Sequence, residues 1–247
     1  MLEKFLHGFV AAAKIIGLNY SFLLSDYERI PWLSGIGITI LLALCSILGS
    51  LLVGVVLAAL LASRQAWLRG PARGLIELLR NTPTLVQLYC AFFVLNMLLN
   101  QVLGGAEHNP LTPFHWVVLV LSLHYGAYHA EALRAGIEAV PATTREAALS
   151  LGFSRVELLR HVELPLALRF SLPALTSNLI NLVKSTALGA AIAVGELTYA
   201  SLMIWVQRDN VLELMIFIFL IYAVLTYVVA RLGRALENYL RMPGYGH

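Results

Sequence analysis

The sequence predicts an all-α integral membrane protein of about five transmembrane helices, with the N-terminus outside and the C-terminus inside. Three observations predict it. The first is composition: of 247 residues, 59% are hydrophobic and only 13% are charged, and mean hydropathy is +0.78. An ordinary soluble domain is about 45–50% apolar and about 25% charged, so one soluble core could not hide this much apolar surface. The second is a set of long charge-free windows. The third is the placement of the arginines, which sit between those windows and form no patch.

The windows fix the spans. A helix crossing lipid needs about 20 mostly apolar residues. No residue is charged between Arg29 and Arg64, between Arg80 and Glu107, between Glu107 and Glu131, or between Glu213 and Arg231. A further stretch, Arg169 to Arg208, is interrupted only by Lys184 and Glu196. The spans are therefore expected at 33–62, 84–104, 114–136, 170–194 and 212–233. Before them, residues 1–32 form an N-terminal periplasmic or interfacial segment. Phe5, Phe9, Ala12 and Ile16 recur there at helical spacing, as in a helix lying on a membrane surface. After them, 237–247 forms a cytoplasmic tail.

Orientation follows from charge. Arg64, Arg69, Arg73 and Arg80 lie in 63–83; Arg145, Arg155, Arg160 and Arg169 lie in 137–169; Arg231, Arg234 and Arg241 lie after 230. The segment 105–113 has no Lys or Arg, and 195–211 has only Arg208. Positive loops stay cytoplasmic, which places 105–113 and 195–211 outside.

Composition also excludes classes of function. The net charge of +3 has no basic patch behind it, so no nucleic acid is expected. Cys45 and Cys90 fall in apolar runs and read as buried thiols. His115, His124 and His129 lack the cysteine or carboxylate company of a zinc site, and no catalytic constellation stands out. No metal and no catalytic residues are expected.

The segment 138–169 is the informative one. Thr143 or Thr144 can cap a helix with Glu146 in its first turn. Gly152 suits a left-handed end to that helix. Ser154 and Glu157 have capping-box spacing for a second helix, and Pro165 punctuates its end. Two short helices with a sharp bend result, either an amphipathic connector on the membrane or a docking surface for a partner. Elsewhere, Thr82 and Pro83 read as the cap and first residue of the second span, with Gln87 facing a pathway. The fourth span is polar over 176–186, where Asn178, Asn181, Lys184, Ser185 and Thr186 stand. Such residues should face protein or water rather than lipid. In the third span, His124 shares a face with Tyr128 and Tyr125 with His129; each suits a satisfied helix–helix contact or a polar route. Rise per residue puts Lys184 about 16 Å and His124 about 15 Å into hydrocarbon, but Glu131 only about 5 Å. A Glu131–Lys184 pair is therefore disfavoured; the α-carboxylate of a passing amino acid and a carboxylate from a partner subunit are rival partners for Lys184, and a purely structural lysine is the other reading.

Glu146-Ala147-Ala148, Gly152, Val162 and Leu164-Pro165 together resemble the EAA loop of bacterial ABC-importer permeases, with valine at 162 in place of the usual isoleucine. Further motifs are similar to the polar amino-acid branch: Arg80-Asn81-Thr82-Pro83-Thr84-Leu85-Val86-Gln87-Leu88, Ala130-Glu131 with Arg134-Ala135-Gly136-Ile137, Ala139-Val140-Pro141, Leu182-Val183-Lys184-Ser185-Thr186, and Gly195-Glu196-Leu197-Thr198. Many relatives carry Asp where Ser185 stands. The resemblance runs from about 33 to 236. It implies the type I ABC-importer permease fold, with 33–236 as its transmembrane domain and 138–169 as a cytoplasmic coupling loop. It implies a multi-pass protein of the bacterial inner membrane that moves polar amino acids, or derivatives such as opines. Glu146, Ala147, Ala148, Gly152, Val162, Leu164 and Pro165 would dock a cytoplasmic ATP-binding subunit dimer. The chain has no phosphate-binding loop, so ATP and Mg would be used by that partner and no cofactor bound here. Other implied partners are a second permease subunit, identical or paralogous, a periplasmic amino-acid-binding protein and membrane lipid. Gln87, His124, Tyr125, Tyr128, Asn178, Asn181, Lys184, Ser185 and Thr186 are candidates for the substrate path. The rival class is an ion-driven secondary transporter, against which stand the absence of detectable inverted repeats and the helical loop.

Overall fold

A computed structural model describes residues 2–240. Met1 and 241–247, including Arg241 and most of the expected tail, lie outside the described residues. Among the described residues the secondary structure is helical: α1 (Leu2–Ile15), α2 (Asp26–Leu61), α3 (Ala66–Asn81), α4 (Thr84–Leu103), α5 (Pro113–Glu138), α6 (Ala142–Ser150), α7 (Arg155–Ile192), α8 (Leu197–Arg208) and α9 (Val211–Tyr239).

Among the described residues, four helices are long and apolar enough to cross a membrane: α2, α4, α7 and α9. The expected third span corresponds to α5, a helix of 26 residues. It is long enough, but His115, His124, Tyr125, Tyr128 and His129 dilute its apolar character.

Two helices carry wide turns. In α4 the residues Cys90–Leu95 form a π turn, with Asn96 N–H donating to the Ala91 carbonyl. In α7 the π turn is Leu159–Glu163, and Leu164 N–H donates to Leu159. This second turn corrects the reading of Pro165. Proline cannot donate to the carbonyl four residues back and crowds it; the wide turn just ahead changes the register, so the helix continues through Pro165 instead of ending, and it also contains Pro173. Cys90 also differs from expectation: it is exposed on α4, while Cys45 is half-buried.

The chain forms two compact units. The first comprises Met1–Cys45, Leu88–Val117 and Val183–Leu225. Its core is aromatic: Trp32 stacks edge-on with Phe22 at 5.6 Å and with Phe217 at 5.3 Å, and Trp32 Nε1 donates to Ser201 Oγ at 3.0 Å. Val10 and Ala13 of α1 are buried in this cluster, with Leu6 against it. The stripe that packs is thus Leu6–Val10–Ala13, one residue round from the one expected; Phe5, Phe9 and Ile16 stay exposed.

The second unit comprises Ser46–Gln87, Val118–Leu182 and Thr226–His247. Ala72 and Ile76 of the amphipathic α3 are buried; Ile76 joins a cluster with Leu57, Ala127 and Ala130. Small residues bring α2 and α5 together, as expected where lipid offers helices no hydrophobic drive. A Cβ on Gly54 would lie 2.6 Å from His129 Cβ, and one on Gly126 would lie 2.5 Å from Val53 Cγ1. Gly136 of α5 stands equally close to Ala167 and Ser171 of α7.

Candidate functional site: the α6–α7 loop and the polar face of α5

The loop is built as a tight helical corner. α6 begins at Ala142 behind Pro141, with no side-chain cap. The expected Thr143 or Thr144 cap is therefore corrected: Pro141, with ψ of 138°, turns the chain, and both threonines already lie in the helix. The other end follows expectation. Gly152 adopts φ +88°, its N–H bonds Leu149 O at 3.0 Å, and Phe153 N–H bonds Ala148 O at 3.2 Å. This paired closure satisfies carbonyls that a helix end leaves free. Ser154 then caps α7: Glu157 N–H donates to Ser154 Oγ, and Ser154 N–H donates to Glu157 Oε2 at 2.8 Å.

The corner is held from behind. Arg145 pairs with Glu163 at 2.7 Å and donates to the Ile137 carbonyl at 2.7 Å. Val162 packs against Val140, Leu166 and Ala167, and Ala148 is buried. The outward side is another matter. Glu146, Ala147, Leu164 and Pro165 are exposed, as are Leu149, Leu151, Val156 and Leu159. A groove of ≈ 470 Å³ lined by Leu151, Gly152, Phe153, Glu157 and His161 opens at the bend. An exposed apolar patch of this kind, bordered by charge, suits contact with a partner or with a membrane surface.

On α5, His124 organises a second cluster. Its Nε2 lies 3.0 Å from Thr84 Oγ1 and its Nδ1 lies 3.3 Å from Gln87 Oε1. Gln87 Nε2 donates to Leu79 O at 2.8 Å and to Thr82 Oγ1 at 2.6 Å. Thr82 Oγ1 donates to Leu78 O at 2.7 Å. Thr82 therefore closes α3 rather than capping α4, and Gln87 locks the α3–α4 turn. Tyr125 and Tyr128 stack against His124 at 5.1 and 5.3 Å. Tyr128 OH donates to Arg80 O at 3.2 Å, and the Arg80 guanidinium lies over the Tyr128 ring at 5.2 Å. Glu131 pairs with Arg134 at 2.7 Å and with Arg80 at 3.7 Å. Residues 37 to 51 positions apart in sequence thus meet in one unit.

On α7, Asn181 and Lys184 are exposed, and Asn178 and Ser185 are half-buried. Thr186 is fully buried, donates to Val183 O at 2.7 Å and lies 3.4 Å from Tyr222 OH. Glu196, named in a motif but given no role by the sequence, proves to be a fully buried cap. Its Oε1 accepts Tyr199 N–H and its Oε2 accepts Thr198 N–H, each at 2.9 Å. The signal was present as an acid two residues ahead of Thr198 at the start of a helix, a place where negative charge is favoured.

Residues 50–242 match the family described as binding-protein-dependent transport system inner membrane component. The chain belongs to this family. It is an inner-membrane permease component of a transport system. Among its relatives, the octopine transport system permease protein OccM of Rhizobium radiobacter is 34% identical over 83% of this chain and 84% of that one. The glutamine transport system permease protein GlnP of Escherichia coli (strain K12) is 32% identical over 87% and 96%. A solved structure described as an amino acid ABC transporter with histidines matches with a TM-score of 0.77 and 29% identity, over 90% of this chain and all of that one. The type I importer permease fold expected from the motifs is the fold found.

Proposed function

We propose that this permease moves polar amino acids or opines inward across the inner membrane, driven by a separate ATPase dimer that uses ATP and Mg. The observation that carries the reading is the α6–α7 corner. Its apolar residues Leu149, Leu151, Val156 and Leu159 point outward around a glycine bend braced by the Arg145–Glu163 pair. A rigid corner with a bare apolar outer side is suited to pass a push from a docked partner into α5 and α7. Glu146, Ala147, Gly152, Leu164 and Pro165 present its contact surface, with Ala148 and Val162 packed behind them. The names of the octopine and glutamine relatives support the substrate class.

In this reading α5 also crosses the membrane, as the third of five spans, the N-terminus is outside and the α6–α7 corner is cytoplasmic. A periplasmic binding protein and a second permease subunit complete the assembly, and Lys184 with its neighbours on α7 borders the path. Purification of the tagged chain from membranes tests the proposal. An ATPase subunit should accompany it, and reconstituted vesicles should take up labelled glutamine or octopine only with ATP inside the corner's compartment. Uptake by the chain alone on an ion gradient would establish the secondary-transporter rival instead.

A further inference from the structure

The helix α3 (Ala66–Asn81) joins two membrane spans. The charge-free window of α2 closes at Arg64, and that of α4 opens after Arg80, so both ends of α3 meet the same membrane surface. The links at 62–65 and 82–83 are too short to carry it away. A helix of 16 residues, about 24 Å long, therefore runs along that surface.

Its residues fall into three rows, each at i, i+4, i+8 and i+11 and each about a quarter-turn from the next. Leu68, Ala72, Ile76 and Leu79 form the middle row. Ala72 and Ile76 are buried; Ile76 clusters with Leu57 of α2 and with Ala127 and Ala130 of α5, and Leu79 packs against them. On one side stand Trp67, Pro71, Leu75 and Leu78. All four are exposed, Trp67 by 71% and Leu78 by 60%. On the other side stand Arg69, Arg73, Glu77 and Arg80, also exposed. Arg73 pairs with Glu77 at 3.0 Å and Arg80 with Glu131 at 3.7 Å. Arg69, and Arg64 just ahead of the helix, are exposed and belong to no such pair. The arginines are scattered in the sequence but line one side of the folded helix.

We propose that α3 is an in-plane membrane anchor: Trp67, Pro71, Leu75 and Leu78 enter the leaflet, while Arg64 and Arg69 bind the phosphates of anionic phospholipids. A helix lying in the interface buries its apolar side by about 5–10 Å. Tryptophan is enriched at that level, and arginine pairs with phosphate through two parallel hydrogen bonds. Basic residues beside an anionic leaflet each add about 1 kcal/mol of attraction. A soluble partner would have to match an apolar row and a basic row separately. A bilayer supplies an apolar interior edged by phosphates, which is the order in which α3 presents its two free flanks. The anchor is independent of which solute the permease carries.

The test reads Trp67 fluorescence in the purified protein reconstituted into phosphatidylcholine vesicles. A minor fraction of the lipid carries brominated acyl chains, supplied either as phosphatidylcholine or as phosphatidylglycerol. The difference between wild type and Trp67→Phe isolates the signal of Trp67. Both brominated lipids should quench it, the phosphatidylglycerol at least twofold more. The double variant Arg64→Gln, Arg69→Gln should keep the quenching and lose the excess. Leu78→Trp, read against wild type, is a second reporter on the same row and decides the matter if Trp67→Phe does not assemble. An unquenched Trp67, equal quenching by the two lipids, an excess that survives the double substitution, or photocross-linking of position 78 to an ATPase subunit overturns the anchor.

Discussion

Tyr222 donates its hydroxyl to Glu196 Oε2 at 3.2 Å. Tyr222 lies eleven residues into α9, about 16 Å along the helix at about 1.5 Å per residue. The carboxylate it meets is therefore far from the end of that helix, although it belongs to a segment expected outside the membrane. The path of the chain explains this. α7 tightens into a 3-10 turn over Thr186–Ile192, Ala193 adopts φ 60°, and α8 restarts at Leu197. Thr39 of α2 approaches the same carboxylate at 3.5 Å, and its hydroxyl accepts Leu197 N–H at 3.0 Å. Irregular backbone within a membrane survives where protein covers it and supplies its hydrogen bonds; here Glu196 and Thr39 supply them.

Glu196→Ala should therefore destabilise the chain. The loss of a helix cap costs about 0.5–2 kcal/mol, and each buried donor left unpaired adds about 1–3 kcal/mol. Glu196→Gln retains one acceptor and should lose less. Thermal unfolding in detergent reads the order wild type, Gln, Ala. An alanine variant as stable as wild type would show that water replaces the carboxylate and that the cap carries little.

The sequence revealed most of the frame and little of its wiring, for identifiable reasons. The long helices follow from charge-free windows, and the Gly152 bend and the Ser154–Glu157 box follow from local rules that need no partner. The Gln87–His124 contact, the Arg80–Tyr128 stack and the Arg145–Glu163 pair join residues 18 to 48 positions apart, and no local rule specifies which will meet. Glu196 was hidden differently. Glutamate is a less usual cap than Ser, Thr, Asp or Asn, and a lone acid between apolar runs reads as a loop. Pro165 misled because a proline usually ends a helix; the π turn that accommodates it has no sequence signature.

Glycines of identical appearance in the sequence should respond in opposite ways. A Cβ at Gly136 would press on the Ala167 carbonyl and Ser171 Oγ, and backbone cannot move aside cheaply. Overpacking of this kind costs about 1–3 kcal/mol. Gly74 lies in the exposed interior of α3 with nothing within 4 Å, where alanine is favoured by about 0.5–1 kcal/mol. Melting curves of Gly136→Ala and Gly74→Ala should shift down and up respectively. A stable Gly136→Ala protein would mean that α5 and α7 stand further apart than described.

Gln87→Leu separates two roles for one side chain. The amide makes hydrogen bonds with Leu79, Thr82 and His124, so its removal should strip a partner from His124 and loosen the α3–α4 turn. The expected outcome is lower stability, by about 1–3 kcal/mol for a buried group left unpaired, with an unchanged order of preference among labelled amino acids. A changed preference with wild-type stability would return Gln87 to the substrate path.

The bend at Gly152 offers the sharpest test of the corner. At φ +88° with no atom within 4 Å of an added Cβ, the cost of a side chain arises from the backbone alone. That cost is about 1–2 kcal/mol for an ordinary residue and smaller for asparagine, which tolerates the left-handed region. A cost of backbone origin should scale with the residue's tolerance of that region, so Gly152→Asn should keep the bend better than Gly152→Ala. Gly152→Leu adds a bulky group beside the groove at the bend. It should leave membrane insertion intact but reduce ATPase co-purification and coupled ATP hydrolysis more than Gly152→Ala does. If leucine and alanine act alike, only the bend matters and the groove is not a contact. If leucine retains both properties at the wild-type level, the partner docks elsewhere.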